Sequence, residues 1–183
     1  LEAAKQSGTH FLIVGDQNVI APEVSRAGLK NVEVVPSTQV IEMTDQPTVA
    51  FKKKPDSSIV VATRLVKKGE ASAVVSIGNT GAAMAIALLT LGRIKGIDRP
   101  AIATILPTFT GKAVMLDSGA TVDCDPNNLY EFALMGCVYA EKVLGITLPR
   151  LGLLSNGEED TKGNDLVKRT HSFFRQAFAG DTT

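Results

Sequence analysis

The chain has 183 residues, 44% of them hydrophobic, with 19 basic residues against 19 acidic ones. That length bounds it to one large or two small domains with room for a real core, and the balanced charge argues against a nucleic-acid binder, which shows a basic excess. No run of about 18 apolar residues occurs, so no transmembrane span is expected, and the opening Leu1-Glu2-Ala3-Ala4-Lys5 carries no signal-peptide pattern.

Phe11-Leu12-Ile13-Val14, closed by Gly15-Asp16, is a continuous apolar run of the kind that makes a parallel strand buried on both faces. Residues 17–28 follow as a helix ended by Gly28, and Val32-Glu33-Val34-Val35 as a second strand stopped by Pro36. This β-α-β order argues a mostly parallel sheet with right-handed crossovers. Residues 36–56 are less regular. Their Lys52-Lys53-Lys54 run reads either as a phosphate or acidic-partner contact or as a solvated helix end, where cations favour the dipole. A helix capped by Ser57 or Ser58 then runs to Lys68, with Ile59, Val60, Thr63 and Val66 inward and Gly69 at its end.

The stretch Val74-Val75-Ser76-Ile77-Gly78-Asn79-Thr80-Gly81-Ala82-Ala83-Met84 is the most informative. It reads as a buried strand over residues 73–77, a glycine turn and the start of a helix reaching about Leu91. Such a helix points unpaired N–H groups and its positive dipole end at whatever lies above the turn. That makes an anion site in which Gly78 and Gly81 allow close approach while Asn79 and Thr80 add side-chain donors. A turn that only redirects the chain has the same composition. The helix is apolar almost all round, which predicts burial on several sides.

Arg93, Lys95 and Arg99 fall in one glycine-punctuated loop with Asp98. They are either a basic wall beside the anion turn or a surface loop with internal ion pairs. A strand over 101–106 and a hairpin-like return through Gly111-Lys112 follow, ending at Asp117-Ser118-Gly119-Ala120-Thr121-Val122-Asp123. Asp117 and Asp123 at a strand's end are candidates for positioning or proton transfer; Asx-turn chemistry is the alternative. Asp125-Pro126 starts a helix, whose small stripe Ala133, Gly136, Cys137 and Ala140 predicts tight helix–helix packing within the fold or across a dimer. A strand over 151–154, a polar loop and a last helix complete the chain. In that loop Lys162 stands among acids beside Gly163, where it could meet a ligand oxyanion or only form a surface ion pair. Cys124 and Cys137 fit no metal or redox spacing, and His171 reads as structural.

Taken together, Val40-Ile41-Glu42-Met43, Lys67 to Ala73, Ser76-Ile77-Gly78-Asn79-Thr80-Gly81-Ala82, Gly92-Arg93-Ile94-Lys95-Gly96-Ile97-Asp98-Arg99-Pro100-Ala101, Leu116-Asp117-Ser118-Gly119-Ala120, Tyr139-Ala140-Glu141-Lys142-Val143-Leu144-Gly145 and Gly152-Leu153-Leu154-Ser155-Asn156-Gly157-Glu158-Glu159-Asp160-Thr161-Lys162-Gly163 resemble the phosphate acyltransferases of bacterial phospholipid synthesis. The resemblance runs in order along nearly the whole chain. It implies transfer of a long-chain acyl group from acyl carrier protein to inorganic phosphate, with no cofactor or metal. It implies an α/β three-layer fold, a mostly parallel sheet with helices on both faces, like phosphotransacetylases and the isocitrate/isopropylmalate dehydrogenases. It further implies a homodimer, cytoplasmic and peripheral to the inner membrane face. The family opens with a strand and glycine-rich loop that are absent here and continues past this chain's end. Residues 1–183 are therefore expected to be one α/β acyltransferase region, truncated at both ends.

On this reading Gly78, Asn79, Thr80 and Gly81 hold phosphate, and Lys162 neutralises phosphate or the oxyanion. Arg93, Lys95 and Arg99 bind phosphate or the acidic carrier protein, and Asp117 positions or moves a proton. The alternatives are a short-chain phosphotransacetylase-like enzyme using coenzyme A, an inactive fragment, and a dinucleotide-binding domain, whose G-x-G-x-x-G fingerprint is not met.

Overall fold

The computed structural model describes residues 1–119, 121, 123–159 and 161–178. Ala120, Val122 and Asp160 of the motifs above, and residues 179–183, lie outside the described residues. The chain forms two compact units, Leu1–Gly92 and Arg93–Thr183. Both helices and parallel strands are present, so the α/β class expected from the sequence holds.

The first unit starts with a short helix, α1 (Glu2–Gln6), then the strand β1 (Phe11–Gly15), the helix α2 (Gln17–Ala27) and the strand β2 (Val32–Pro36). β1 and β2 pair in parallel from Phe11 opposite Val32 to Gly15 opposite Pro36, the β-α-β order read from the sequence. The ends of α2 are set by local chemistry. The Asp16 carboxylate accepts from Asn18 N–H at 2.8 Å, and Gly28 takes the left-handed conformation, φ 66°, which costs glycine nothing sterically. Asn31, just before β2, donates from its side-chain nitrogen to the carbonyls of Ala4, Ser7 and Thr9. One amide thereby ties the N-terminal segment to the sheet.

The helices α3 (Pro47–Lys53), α4 (Ser58–Lys68) and α5 (Thr80–Leu91) follow. The lysine run is the last turn of α3 and the residue after it, the helix-end alternative. Lys54 is bound to the Val40 carbonyl and to the Asp45 carboxylate. α4 packs on β1, and α5 packs on α3 and α4. The core of this unit is Val60, Ala82 and Ile86, with Ile41, Phe51 and Ile59 around it.

Two expectations fail in this unit. Residues 73–77 are not a strand, and Val75 and Ile77 are 90% and 101% exposed. A parallel strand exists only if a neighbour takes up its ladder hydrogen bonds, and no strand lies beside this segment among the described residues. α5 is also not buried on several sides. It buries one stripe, Ala82, Ile86 and Thr90, and leaves Leu89 and Leu91 exposed.

The second unit holds β3 (Ala103–Thr108) and β4 (Gly111–Leu116), an antiparallel hairpin as the sequence suggested. The helix α6 (Pro126–Lys142) packs against β4, and α7 (Asp165–Ala177) packs against α6. α6 starts with a capping box between Asp125 and Asn128, with Pro126 in its first turn. Its small stripe meets the hairpin, because a Cβ on Gly136 would come within 2.5 Å of Leu116 Cδ1. The tight packing at Gly136 is thus helix on sheet within the unit, where helix on helix was expected. Tyr130 of α6 meets Phe173, Phe174 and Phe178 with ring centroids 5.4, 6.4 and 5.6 Å away, an aromatic cluster that adds to plain area burial. The strand expected over 151–154 is not formed, for the same reason as 73–77, and Leu154 is exposed.

Replacing Ile86, which is fully buried, with Ala is expected to cost about 2–5 kcal/mol. Leu89→Ala, on the exposed side of the same helix, should cost under about 1 kcal/mol. Urea unfolding measures both, and equal losses would show that α5 is not buried as described.

Candidate functional site

The first group of candidate residues is the glycine turn at the start of α5. Asn79 is the N-cap: its Oδ1 accepts from Ala82 N–H at 2.9 Å, and its backbone carbonyl accepts from Ala83 N–H. Its side-chain nitrogen donates to the carbonyls of Glu42 and Met43 at 3.2 Å and reaches that of Asp45 at 3.5 Å. Both ends of the Asn79 amide are therefore occupied by the protein itself. The sequence suggested Asn79 as a side-chain donor to an anion; in the structure it holds the turn in place instead.

What the turn offers a ligand is backbone. The N–H groups of Thr80 and Gly81 head α5, and no side chain caps them among the described residues. The Thr80 hydroxyl stands beside them. Gly78 donates weakly to Ser76 Oγ at 3.5 Å. A Cβ on Gly81 would lie 3.5 Å from both Asn79 Oδ1 and Pro47 Cγ, ordinary contact distances, while one on Gly78 would meet only Ser76 Oγ at 3.9 Å. Gly78 is thus the position where bare backbone faces open space.

The remaining candidates lie in the second unit. Arg93 donates to the Asp98 carbonyl at 3.0 Å, and Arg99 to the Asp123 carbonyl at 3.0 Å. Both arginines brace loops, and all three cations are exposed. The loop is fixed from below by Glu131, which the sequence did not mark as functional. Glu131 is only 7% exposed. Its carboxylate accepts from Asp98 N–H at 2.8 Å and from the Asn127 side chain at 2.9 Å. A buried carboxylate persists only if its oxygens are hydrogen-bonded. A glutamate on the apolar side of α6 was the one sequence signal that could have pointed to it.

Asp117 takes a left-handed backbone, φ 63°, a conformation Asp tolerates better than most residues. Its carboxylate accepts from Thr121 N–H at 3.2 Å and from Cys124 Sγ at 3.2 Å, four and seven positions on, so it ties its own loop together without the i to i+2 bond of an Asx-turn. Burial, and then the hydrogen bond to Asp117, push the Cys124 thiol up to about 11. Lys162 sits 3.9 Å from Glu159, with its side chain half exposed. Its loop is tied by Asn156, whose Oδ1 accepts from Gly163 N–H at 2.8 Å, and Gly163 has φ 88°. Asn164 caps α7 through Val167 N–H.

The whole chain bears on one family. Residues 1–181 match the family described as fatty acid synthesis protein. The chain belongs to that family. It is 52% identical over 178 residues to a phosphate acyltransferase of Pelotomaculum thermopropionicum, covering 97% of this chain and 52% of that protein. A phosphate acyltransferase of Heliobacterium modesticaldum is 52% identical over 180 residues, covering 97% and 54%. One from Desulforamulus reducens is 49% identical over 178 residues, covering 96% and 53%. The chain spans about half the length of the curated relatives it matches.

Two measurements check these contacts. Asp caps helices as well as Asn, but Asn79→Asp aims a carboxylate at three carbonyls. It should therefore destabilise the chain as much as Asn79→Ala, by about 1–2 kcal/mol; a neutral Asn79→Asp in urea unfolding would mean the carbonyl contacts carry no weight. For Cys124, a pKa near 11 leaves about a thousandth of the thiol ionised at pH 8. Alkylation should be slow at pH 8, rise about tenfold per pH unit, and quicken in Asp117→Asn, which removes the neighbouring charge. Fast alkylation at pH 8 would contradict the Cys124–Asp117 contact.

Proposed function

We propose that this chain is the acyl-transferring region of an enzyme that moves a long-chain acyl group from acyl carrier protein to inorganic phosphate, giving acyl phosphate for phospholipid synthesis. The observation that carries the reading is identity near 50% over nearly all of the chain to proteins named phosphate acyltransferase. The motifs around Gly78, Arg93, Asp117 and Lys162 lie inside the matched stretch.

In the reaction a phosphate oxygen attacks the thioester carbonyl. The C–O bond forms, the C–S bond breaks, and the thiolate leaves and takes up a proton. Phosphate is itself the nucleophile, so the protein's work is to hold a dianion, stabilise an oxyanion and orient the two. The N–H groups of Thr80 and Gly81, the open approach at Gly78 and the Thr80 hydroxyl suit the phosphate. Asn79 takes part by fixing that turn. Lys162 neutralises charge on phosphate or oxyanion, and Asp117 positions or transfers a proton. Arg93, Lys95 and Arg99, all three exposed, present a basic rim to the acidic carrier protein.

The reading extends to the finer features of the family resemblance. These are a three-layer fold like phosphotransacetylases and the isocitrate/isopropylmalate dehydrogenases, residues 1–183 acting as one catalytic region, a homodimer, and a cytoplasmic enzyme resting on the inner membrane face. No helix among the described residues is long and apolar enough to cross a membrane.

The test is acyl phosphate formation from palmitoyl-acyl carrier protein and phosphate, in a chain extended to the full length of its relatives. Lys162→Ala should lower kcat by about 10²–10³-fold, the usual cost of one lost oxyanion donor. Palmitoyl-coenzyme A should be the poorer substrate. Unchanged turnover and phosphate dependence in Lys162→Ala would remove that lysine from the mechanism; preference for the coenzyme A thioester would replace the carrier protein as donor.

A further inference from the structure

Lys52 and Lys53 are exposed at the end of α3, but Lys54, one residue on, is half-buried. Its backbone is a fixed base. Lys54 N–H donates to the Ala50 carbonyl at 2.8 Å, and the Lys54 carbonyl accepts from Ser57 N–H at 3.1 Å and from the Ser57 hydroxyl at 2.8 Å. Ala50 and Ser57 are themselves buried. From that base the ammonium reaches back to the 40–45 segment. It donates to the Val40 carbonyl at 2.8 Å and to the Asp45 carboxylate. The same Asp45 oxygen accepts from Glu42 N–H at 2.7 Å.

Two features set this contact apart from surface pairing. Among the described residues it is the one ion pair whose two side chains are both less than a third exposed, 29% and 27%. Fully exposed pairs contribute little. The bond from Lys54, and then the one from Glu42 N–H, hold the Asp45 carboxyl below the ordinary carboxylate value, so the pair is charged at neutral pH.

The segment that Lys54 holds is the segment that holds Asn79. The carbonyls of Glu42, Met43 and Asp45 accept from the Asn79 side chain, which in turn caps α5 beside the N–H groups of Thr80 and Gly81. We propose that Lys54 is a positioning residue for phosphate. Through the Val40 carbonyl and Asp45 it fixes the carbonyls that hold Asn79, and through Asn79 the backbone donors of the turn. The proposal rests on the reading above in which that turn takes the phosphate. A turn ordered in advance lowers the ordering cost of binding; without Lys54 that cost returns.

The test is steady-state kinetics of Lys54→Met in a chain extended to the full length of its relatives. Met keeps most of the apolar stem and loses the donors. The KM for phosphate should rise about tenfold, while kcat and the KM for palmitoyl-acyl carrier protein change less than about twofold. Asp45→Ala should raise the phosphate KM in the same direction. The double variant should exceed the larger single effect by little, because both act through one contact. Lys52→Met and Lys53→Met, which remove the same charge nearby, should leave the phosphate KM unchanged. A lysine that serves stability alone would lower kcat and the melting temperature with the phosphate KM unmoved. That result, an equal rise in both KM values, additive effects in the double variant, or a matching rise in Lys52→Met or Lys53→Met would each overturn the proposal. Phosphate titration followed by NMR at the Gly78, Thr80 and Gly81 amides needs no turnover. Binding there that weakens in Lys54→Met, in a parent that forms no acyl phosphate, would refute the acyl-transfer reading and keep the role of Lys54. Turnover with the phosphate KM unchanged in Lys54→Met would do the reverse.

Discussion

The Asn79 side chain is the point on which the first unit turns. Its oxygen starts α5 and its nitrogen holds the carbonyls of the 42–45 segment. Those carbonyls precede α3, which packs on α5. One amide thus fixes where α5 begins, how the segment before α3 enters, and where the unpaired N–H groups of Thr80 and Gly81 stand. An aspartate could cap the helix but could not donate; a lysine could donate but could not cap. A carboxamide does both with two separate atoms, which a single hydroxyl cannot match, and glutamine would place it one methylene too far.

The same logic recurs in the second unit with the charge reversed. Glu131 accepts from Asp98 N–H and Asn127, so a loop carrying three cations is set on α6 by one buried carboxylate. Arg93 and Arg99 then each brace a backbone carbonyl with one guanidinium nitrogen. Rigid loops around a polar ligand lower the ordering cost of binding. In both units the groups that hold a loop are more deeply committed than the groups that the loop presents.

Much of this was legible in the sequence where local chemistry decides. Gly28 and Gly69 end helices because each takes a left-handed conformation, and Asp125-Pro126 starts one by capping. The β1-α2-β2 unit followed from an apolar run, a helix and a second run. The runs at 73–77 and 151–154 misled, because apolarity states only that a segment is suited to burial. Whether it becomes a strand depends on a neighbour far away in sequence. The role of Asn79 was hidden for a related reason: its carbonyl partners lie 34 to 37 positions earlier, and no local pattern records such a contact. Glu131 was missed because a lone polar residue on an apolar face carries no motif.

The central claim is that the glycine turn offers an anion its backbone while Asn79 is occupied in holding it. A phosphate titration of the isotope-labelled chain tests this directly by amide NMR. The account expects the backbone signals of Gly78, Thr80 and Gly81 to move with phosphate while the Asn79 side-chain NH₂ signals stay put. Movement of the Asn79 side-chain signals, or no response at the three backbone amides, would contradict it.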